Sequence, residues 1–303
     1  MLTDTHCHLN FKDFKNDANE IIKKSLDNDI QVINVGAEWR SSERAVEYAE
    51  RYNKGVYAVV GLHPIHIKVG NENQKIANET SFEEFNYEKY LELAQKEKVV
   101  AIGEVGLDYH HFCVSKHQEN ETDKGDSGSI IEDSKKNVKR NIEKQKEILK
   151  KFINLANEVN KPLVLHCWGA DKKDKDLVDG ANAYNDLLKI LEQKPANSVG
   201  VIHSFIGGLK IAKKFIALGF KIGLNGIITY SNSYDKLIKN IGLENILLET
   251  DAPYLTPMPL ERYSRNEPLN VRLVAGKIAN VLGIDIKKVE EKTTVNAKKL
   301  FDI

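Results

Sequence analysis

Short apolar runs alternate with helically spaced apolar residues along the whole of this 303-residue chain. The run Leu2–His6 precedes Phe14, Ala18, Ile21, Ile22, Ser25 and Leu26, which share one face at helical spacing. QVINVG (31–36) then leads into a helix over Ser41–Tyr52, and VYAVVGLHP (56–64) into one over Phe82–Lys96. VVAIGEVGLDY (99–109) comes before a long helix carrying Ile148, Leu149, Phe152, Leu155, Ala156 and Val159. PLVLHCW (162–168) precedes a helix at Ala183–Leu191. SVGVIHSF (198–205) precedes one at Leu209–Leu218, which stops at Gly219, a natural C-cap residue. FKIGLNG (220–226) and NILLETDAP (245–253) are the last two runs, and helices follow to the C-terminus.

These runs are continuously apolar rather than alternating, as in strands buried on both faces of a parallel sheet wrapped by helices. Eight strand-then-helix units predict a single-domain α/β fold over 1–303, a (β/α)8 TIM barrel. An open doubly wound sheet is the alternative that strand counting leaves open. Two polar segments interrupt the rhythm, Asn71–Thr80 after the third strand and His110–Lys139 after the fourth. The second has little to bury against its ordering entropy and reads as a flexible insertion.

Hydrophobic residues make up 41% of the chain, enough for a large core, and 44 basic residues balance 44 acidic ones. That neutrality argues against a broad electrostatic grip on nucleic acid while allowing a local basic rim. No run approaches the roughly 18 apolar residues of a membrane span. The chain enters a strand with no basic and apolar leader before it, so no signal peptide is expected. Three cysteines give no disulfide framework and fit a reducing compartment. The expectation is an intracellular protein, cytoplasmic or nuclear, with no membrane attachment and no obligate protein partner.

The candidate chemistry lies at the strand ends. His6 and His8 are one residue apart on the first strand, so both point to one face while Cys7 points to the other. His63 ends the third strand, Glu104 the fourth, His166 the fifth and His203 the sixth, and Glu249 and Asp251 end the eighth. In a barrel, active sites form at the C-terminal ends of the strands. Five imidazoles with two or three carboxylates exceed what one ion needs, and a two-metal site with a bridging carboxylate fits better. Mixed nitrogen and oxygen ligation suits Zn²⁺ or Mn²⁺ most easily and Mg²⁺ less so. Cys7 and Cys167 read as packing residues, and His66, His110, His111 and His117 as solvated loop residues.

With these residues in view, the sequence resembles the TatD-family metal-dependent deoxyribonucleases. The motifs D-T-H-C-H-L (4–9), G-E-V-G-L-D-Y (103–109), H-S-F-I-G-G (203–208) and E-T-D-A-P-Y-L-T-P (249–257) carry the match. G-L-H-P (61–64), P-L-V-L-H-C (162–167), R-N-E-P (265–268) and Asn296 support it. The resemblance implies a barrel that cleaves DNA phosphodiester bonds with two divalent ions (Mg²⁺, Mn²⁺ or Zn²⁺), often from the 3′ end. It implies one metal held by His6, His8, Glu104 and Asp251, and a second held by bridging Glu104 with His166 and His203. Asp251 would also orient or deprotonate the attacking water, His63 would face the scissile phosphate, and Glu249 would orient a ligand. Arg265 would pair with a substrate phosphate, the competing reading of that segment being helix capping by Asn266 and Pro268.

The family commonly has arginine two residues after the strand-five histidine, where this chain has Trp168. An indole cannot replace that charge. Trp168 is read either as a base-stacking residue or as packing under the inserted loop. Two other functions compete: a metal-dependent amidohydrolase or esterase, including an aminoacyl-tRNA deacylase, and a non-catalytic metal-dependent nucleic-acid binder. Glu104 stands where many amidohydrolases carry a modified lysine, which favours phosphodiester cleavage, and the intact ligand set favours an enzyme.

Overall fold

Each apolar run pairs in parallel with the runs on either side of it. The computed structural model describes residues 1–67, 69, 82–111, 127–171, 176, 178–197 and 199–303. Its strands are β1 (Leu2–Cys7), β2 (Ile30–Val35), β3 (Val56–Val60), β4 (Val99–Asp108), β5 (Leu163–Trp168), β6 (Gly200–Ile202), β7 (Lys221–Leu224) and β8 (Ile246–Leu248). They form one eight-stranded sheet in sequence order. The first and last strands meet through a parallel bridge between Cys7 and Ala252. There the His8 N–H donates to the Ala252 carbonyl at 2.7 Å and the Asp251 N–H donates to the His6 carbonyl at 2.8 Å. This closure makes the fold a TIM barrel and removes the open-sheet alternative.

The helices outside are α1 (Ala18–Asp27), α2 (Trp39–Glu50), α3 (Tyr87–Ala94), α4 (Ser127–Val159), α5 (Ala183–Gln193), α6 (Leu209–Ala217), α7 (Asp235–Ile241), α8 (Val271–Leu282) and α9 (Ile286–Phe301). Among the described residues, no helix is long and apolar enough to cross a membrane. One large buried layer lies between strands and helices. A second, smaller cluster contains Ile33, Val35, Val59, Ala101, Val164, Val201 and Leu247, joined by Ala297 and Phe301 of α9. Helix α9 sits at the N-terminal end of the barrel, where the Thr294 hydroxyl donates to the Met1 carbonyl and the Asn296 amide to the Leu243 and Ile246 carbonyls. In β5, and from β6 and β8 into the residue beyond each, the next residue of the same parity is a candidate site residue: His166 after Val164, His203 after Val201, Glu249 after Leu247. Strand periodicity alone thus stacks polar groups above an apolar floor.

Two expectations change. The regular part of the sixth strand ends at Ile202 and that of the eighth at Leu248, shorter than the apolar runs, because the chain turns away to deliver His203 and Asp251. Asp251 has φ 57° and Ser204 φ 45°, left-handed conformations that turn the backbone at the barrel mouth. The polar stretch to Lys139 is also not all insertion, since α4 begins at Ser127. Ser134, Val138, Asn141, Ile142 and Gln145 are buried at helical spacing, so one small or apolar residue per turn suffices to dock it. Residues 71–80 and 112–126 lie outside the described residues.

Beside the closure, Thr250 donates its N–H to Asp4 Oδ1 at 2.9 Å, and its hydroxyl lies 2.6 Å from Oδ2. Asp4 is fully buried, and burial pushes its carboxyl up to about 8 against the opposing hydrogen bonds from Thr250 and His6. Between roughly pH 4, its value in an unfolded chain, and pH 8, the folded protein holds a proton that the unfolded chain has lost, so stability falls as pH rises through that window. Asp4→Asn keeps a donor for the hydroxyl and an acceptor for the N–H. Urea melts should therefore show wild type losing stability relative to Asp4→Asn as pH rises. Asp4→Ala, which strands the Thr250 N–H, should cost about 1–3 kcal/mol.

Candidate metal centre

Glu104 is the hub. It is buried within β4, which runs on to Asp108, rather than at the strand's end, and its two oxygens face different groups. Oε1 lies 2.8 Å from His166 Nδ1, 3.4 Å from His63 Nε2 and 3.7 Å from His203 Nε2. Oε2 lies 3.3 Å from His6 Nε2 and 4.0 Å from His8 Nε2. Asp251 approaches from the other side, with Oδ1 3.3 Å from His8 Nε2, 3.7 Å from His203 Nε2 and 3.8 Å from His6 Nε2. The His6 and His8 Nε2 atoms are 3.2 Å apart, and the His6 ring stacks on that of His203 at 3.4 Å between centroids. Three groups with ligand atoms mutually within 4.8 Å result: His6, His8 and Asp251; His6, His203 and Glu249; His63, Glu104 and His166.

Backbone geometry sets this convergence. Gly106 has φ 154°, and a Cβ there would meet the His166 carbonyl oxygen at 1.9 Å, so glycine lets β5 close up beside Glu104. Gly223 leaves room for a carboxylate, since a Cβ would lie 2.5 Å from Glu249 Oε2. Glu249 Oε1 accepts the Ser204 N–H at 2.6 Å and lies 3.0 Å from His203 Nδ1. That contact turns the His203 Nε2 atom toward Glu104 and Asp251.

The donor set fits a cation. His8 Nδ1 lies 2.8 Å from the Val35 carbonyl, which can only accept, so Nδ1 holds a proton. In a neutral ring the Nε2 lone pair then faces Asp251 Oδ1, a second acceptor, and a cation between them resolves the clash. For Glu104, burial raises the carboxyl, yet the imidazoles of His63, His203 and His6 outweigh it and hold the group well below the usual carboxylate range. Burial also opposes charging of His203 and His166, but their carboxylate neighbours win. His203 is raised to about 10 by Glu249, Glu104 and Asp251, and His166 to about 9 by Asp108 and Glu104. His63 goes the other way, to about 4, through burial and the neighbouring His166. The Ile65 N–H donates to His63 Nδ1 at 3.2 Å, so a neutral His63 presents an Nε2–H donor to the site.

Asp108 was not singled out by sequence, although its spacing of four from Glu104 in β4 was a usable signal. It is fully buried, with Oδ2 3.0 Å from His166 Nε2 and 2.7 Å from His111 Nδ1, and Oδ1 accepts the His111 N–H at 2.8 Å. Despite burial, His111 and His166 hold its carboxyl well below the ordinary value. His111 is therefore no solvated loop residue, and neither is His110, whose ring stacks on Trp168 at 4.4 Å and 4°. Trp168 packs edge-on to His111 as well. Arg265 is also corrected. Its guanidinium donates to both carboxylate oxygens of Asp17 at 3.0 and 2.6 Å and to the Asp13 carbonyl, and it lies over Phe14, so it is committed away from a substrate phosphate. Asn266 ties the Thr250 and Tyr254 carbonyls instead of capping a helix, while Pro268 does occupy the first turn of a short 3₁₀ helix. Cys7 and Cys167 are buried and free. His117 lies outside the described residues.

Comparison with known proteins gives this site its class. The chain is 32% identical to YabD, an uncharacterized metal-dependent hydrolase of Bacillus subtilis, with both chains covered completely. It is 29% identical to the human deoxyribonuclease TATDN3 over 99% of this chain and 94% of that one. The fold matches the crystal structure of YjjV, a TatD homologue of Escherichia coli, at a TM-score of 0.71 and 24% identity over 100% and 98% of the two chains. The protein is a metal-dependent hydrolase. Residues 3–302 match the family described as TatD related DNase, and the chain belongs to that family.

If His166 and His203 hold a divalent ion, binding displaces their protons, so affinity for Mn²⁺ or Zn²⁺ should rise from pH 6.5 toward 9, by about tenfold per unit for each proton released. Asp108→Asn should weaken binding by about 10–100-fold by loosening His166. Isothermal titration of the apoprotein checks both.

Proposed function

We propose that this chain hydrolyses phosphodiester bonds in DNA, acting on single strands or strand ends, with two divalent ions (Mg²⁺, Mn²⁺ or Zn²⁺). The observation that supports two ions is the division of Glu104, with Oε1 toward His166, His63 and His203 and Oε2 toward His6 and His8. In this reading His6, His8, Glu104 and Asp251 hold one ion, and Glu104, His166 and His203 the other. When bound, the ions supply Lewis acidity that acidifies water and offsets charge developing on phosphoryl oxygens.

The chain's own groups do the rest. Asp251 accepts the proton of the attacking water. Its carboxyl is held low because the His203 and His8 imidazoles outweigh the effect of burial, so it is ionised and able to serve as a base. His63 points its Nε2–H at the scissile phosphate, and its lowered value keeps it a neutral donor near neutral pH. Glu249 steadies His203, and Asp108 steadies His166. The 3′-end direction rests on the family resemblance. The buried free thiols of Cys7 and Cys167 suit an intracellular setting.

Purified protein incubated with DNA labelled at either end should cleave it with added divalent metal and not in EDTA. A 5′ label should give a ladder shortening from the 3′ end. Asp251→Asn should lower kcat by a factor on the order of 10²–10⁴. Undiminished cleavage by that variant would remove Asp251 from the mechanism. Hydrolysis of amide or carboxylic ester substrates in place of DNA would overturn the phosphodiesterase reading.

A further inference from the structure

Nine large apolar side chains are exposed among the described residues, and five of them (Tyr230, Tyr254, Met258, Leu260 and Tyr263) fall in the segments after β7 and β8. Such concentration on one surface marks a contact site, whereas scattered exposure does not. Both segments rise from strand C-termini, on the face that holds the metal centre. They are tied together: the Tyr230 hydroxyl donates to the Thr256 carbonyl at 2.6 Å, and the Met258 N–H donates to the Thr229 hydroxyl at 2.8 Å.

The surface begins at the site itself. The Tyr254 N–H donates to the Asp251 carbonyl at 2.8 Å, and its ring, 6.4 Å from that of His8, belongs to a residue 51% exposed. Further out, the Arg262 guanidinium lies 5.3 Å from the centre of the Tyr230 ring and 5.1 Å from that of Tyr263, which is 88% exposed. A guanidinium held between two rings is pre-positioned, and among the described residues no carboxylate pairs with it. Arg265, by contrast, is consumed by Asp17.

We propose that Tyr254, Tyr230, Arg262 and Tyr263 form a platform for the single-stranded part of the substrate beyond the cleaved phosphate. Bases stack on the tyrosines and Arg262 meets a backbone phosphate. The occupant follows from chemistry: exposed rings interleaved with a cation accept any base and attract the backbone. Continuity with Asp251 through Tyr254 gives the strand a path out of the site. The proposal rests on the DNA reading above, and the test separates the two.

Fluorescence anisotropy in EDTA, where nothing is cleaved, should show a labelled thymidine single strand of about twelve nucleotides binding roughly 5- to 100-fold more weakly to Tyr263→Ala and Arg262→Ala than to wild type. Tyr263→Phe, which keeps the ring, should bind as wild type does. With Mn²⁺, both alanine variants should hydrolyse bis(p-nitrophenyl) phosphate, too small to reach the platform, within about twofold of wild type. Unchanged strand affinity overturns the platform, and so does parallel loss of small-substrate hydrolysis, which would mean a disturbed site. Failure of wild type to cleave either DNA or the small diester overturns the phosphodiesterase reading, whatever the anisotropy gives.

Discussion

The burial of one negative charge governs this molecule. Glu104 sits 4% exposed in the barrel mouth, and an uncompensated carboxylate there would cost several kcal/mol. Compensation comes from imidazoles on β1 and β5 and from the segments after β3 and β6. No local hairpin brings those segments together, whereas a closed parallel barrel brings every strand end to one ring. The closing hydrogen bonds, between His6 and Asp251 and between His8 and Ala252, involve the site residues themselves. The bonds that close the barrel thus run through the backbone of the residues that form the candidate site.

The charges around that hub form a chain rather than a pair. His166 lies between Glu104 and Asp108, and Asp108 lies between His166 and His111. His203 lies between Glu249 and the pair Glu104 and Asp251. His166 and His203 each have a carboxylate behind them to fix their orientation, Asp108 and Glu249, which keeps Nε2 of His203 facing the centre. In the proposed reading, proton and metal would compete for the same nitrogens, and the carboxylates that raise His166 and His203 would also favour a divalent ion.

The order of the strands, their parallel sense and six converging residues were legible because apolar runs mark the strands and the candidate ligands lie toward their C-terminal ends. In the fifth and sixth runs, period-two alternation carries inward parity from apolar residues to the polar residues above them. Val164 announces His166, and Val201 announces His203. Less legible was what depends on side-chain reach or on contacts between distant segments. Asp108 shares parity with Glu104, but nothing local says that its partners are His166 and His111. Arg265 next to Asn266 looked free because Asp17, its partner, lies 248 positions away in sequence. The helix over 127–139 was hidden by its polar surface, since a single buried stripe around Val138 and Ile142 suffices to hold it.

The substitution at Trp168 bears on how substrate is gripped. An arginine at that position would add a fixed cation beside the metal centre. Trp168 instead stacks with His110, and Arg265 pairs with Asp17, whereas Arg262 lies between two tyrosines. The whole chain carries no net charge to draw a polyanion from a distance. In the proposed reading, short-range contact takes the place of long-range attraction: aromatic rings would hold bases, and the metal centre, at the end of that path, would supply the positive charge that meets the phosphate. A grip of this kind selects for unstacked bases, because a duplex keeps its bases from the rings.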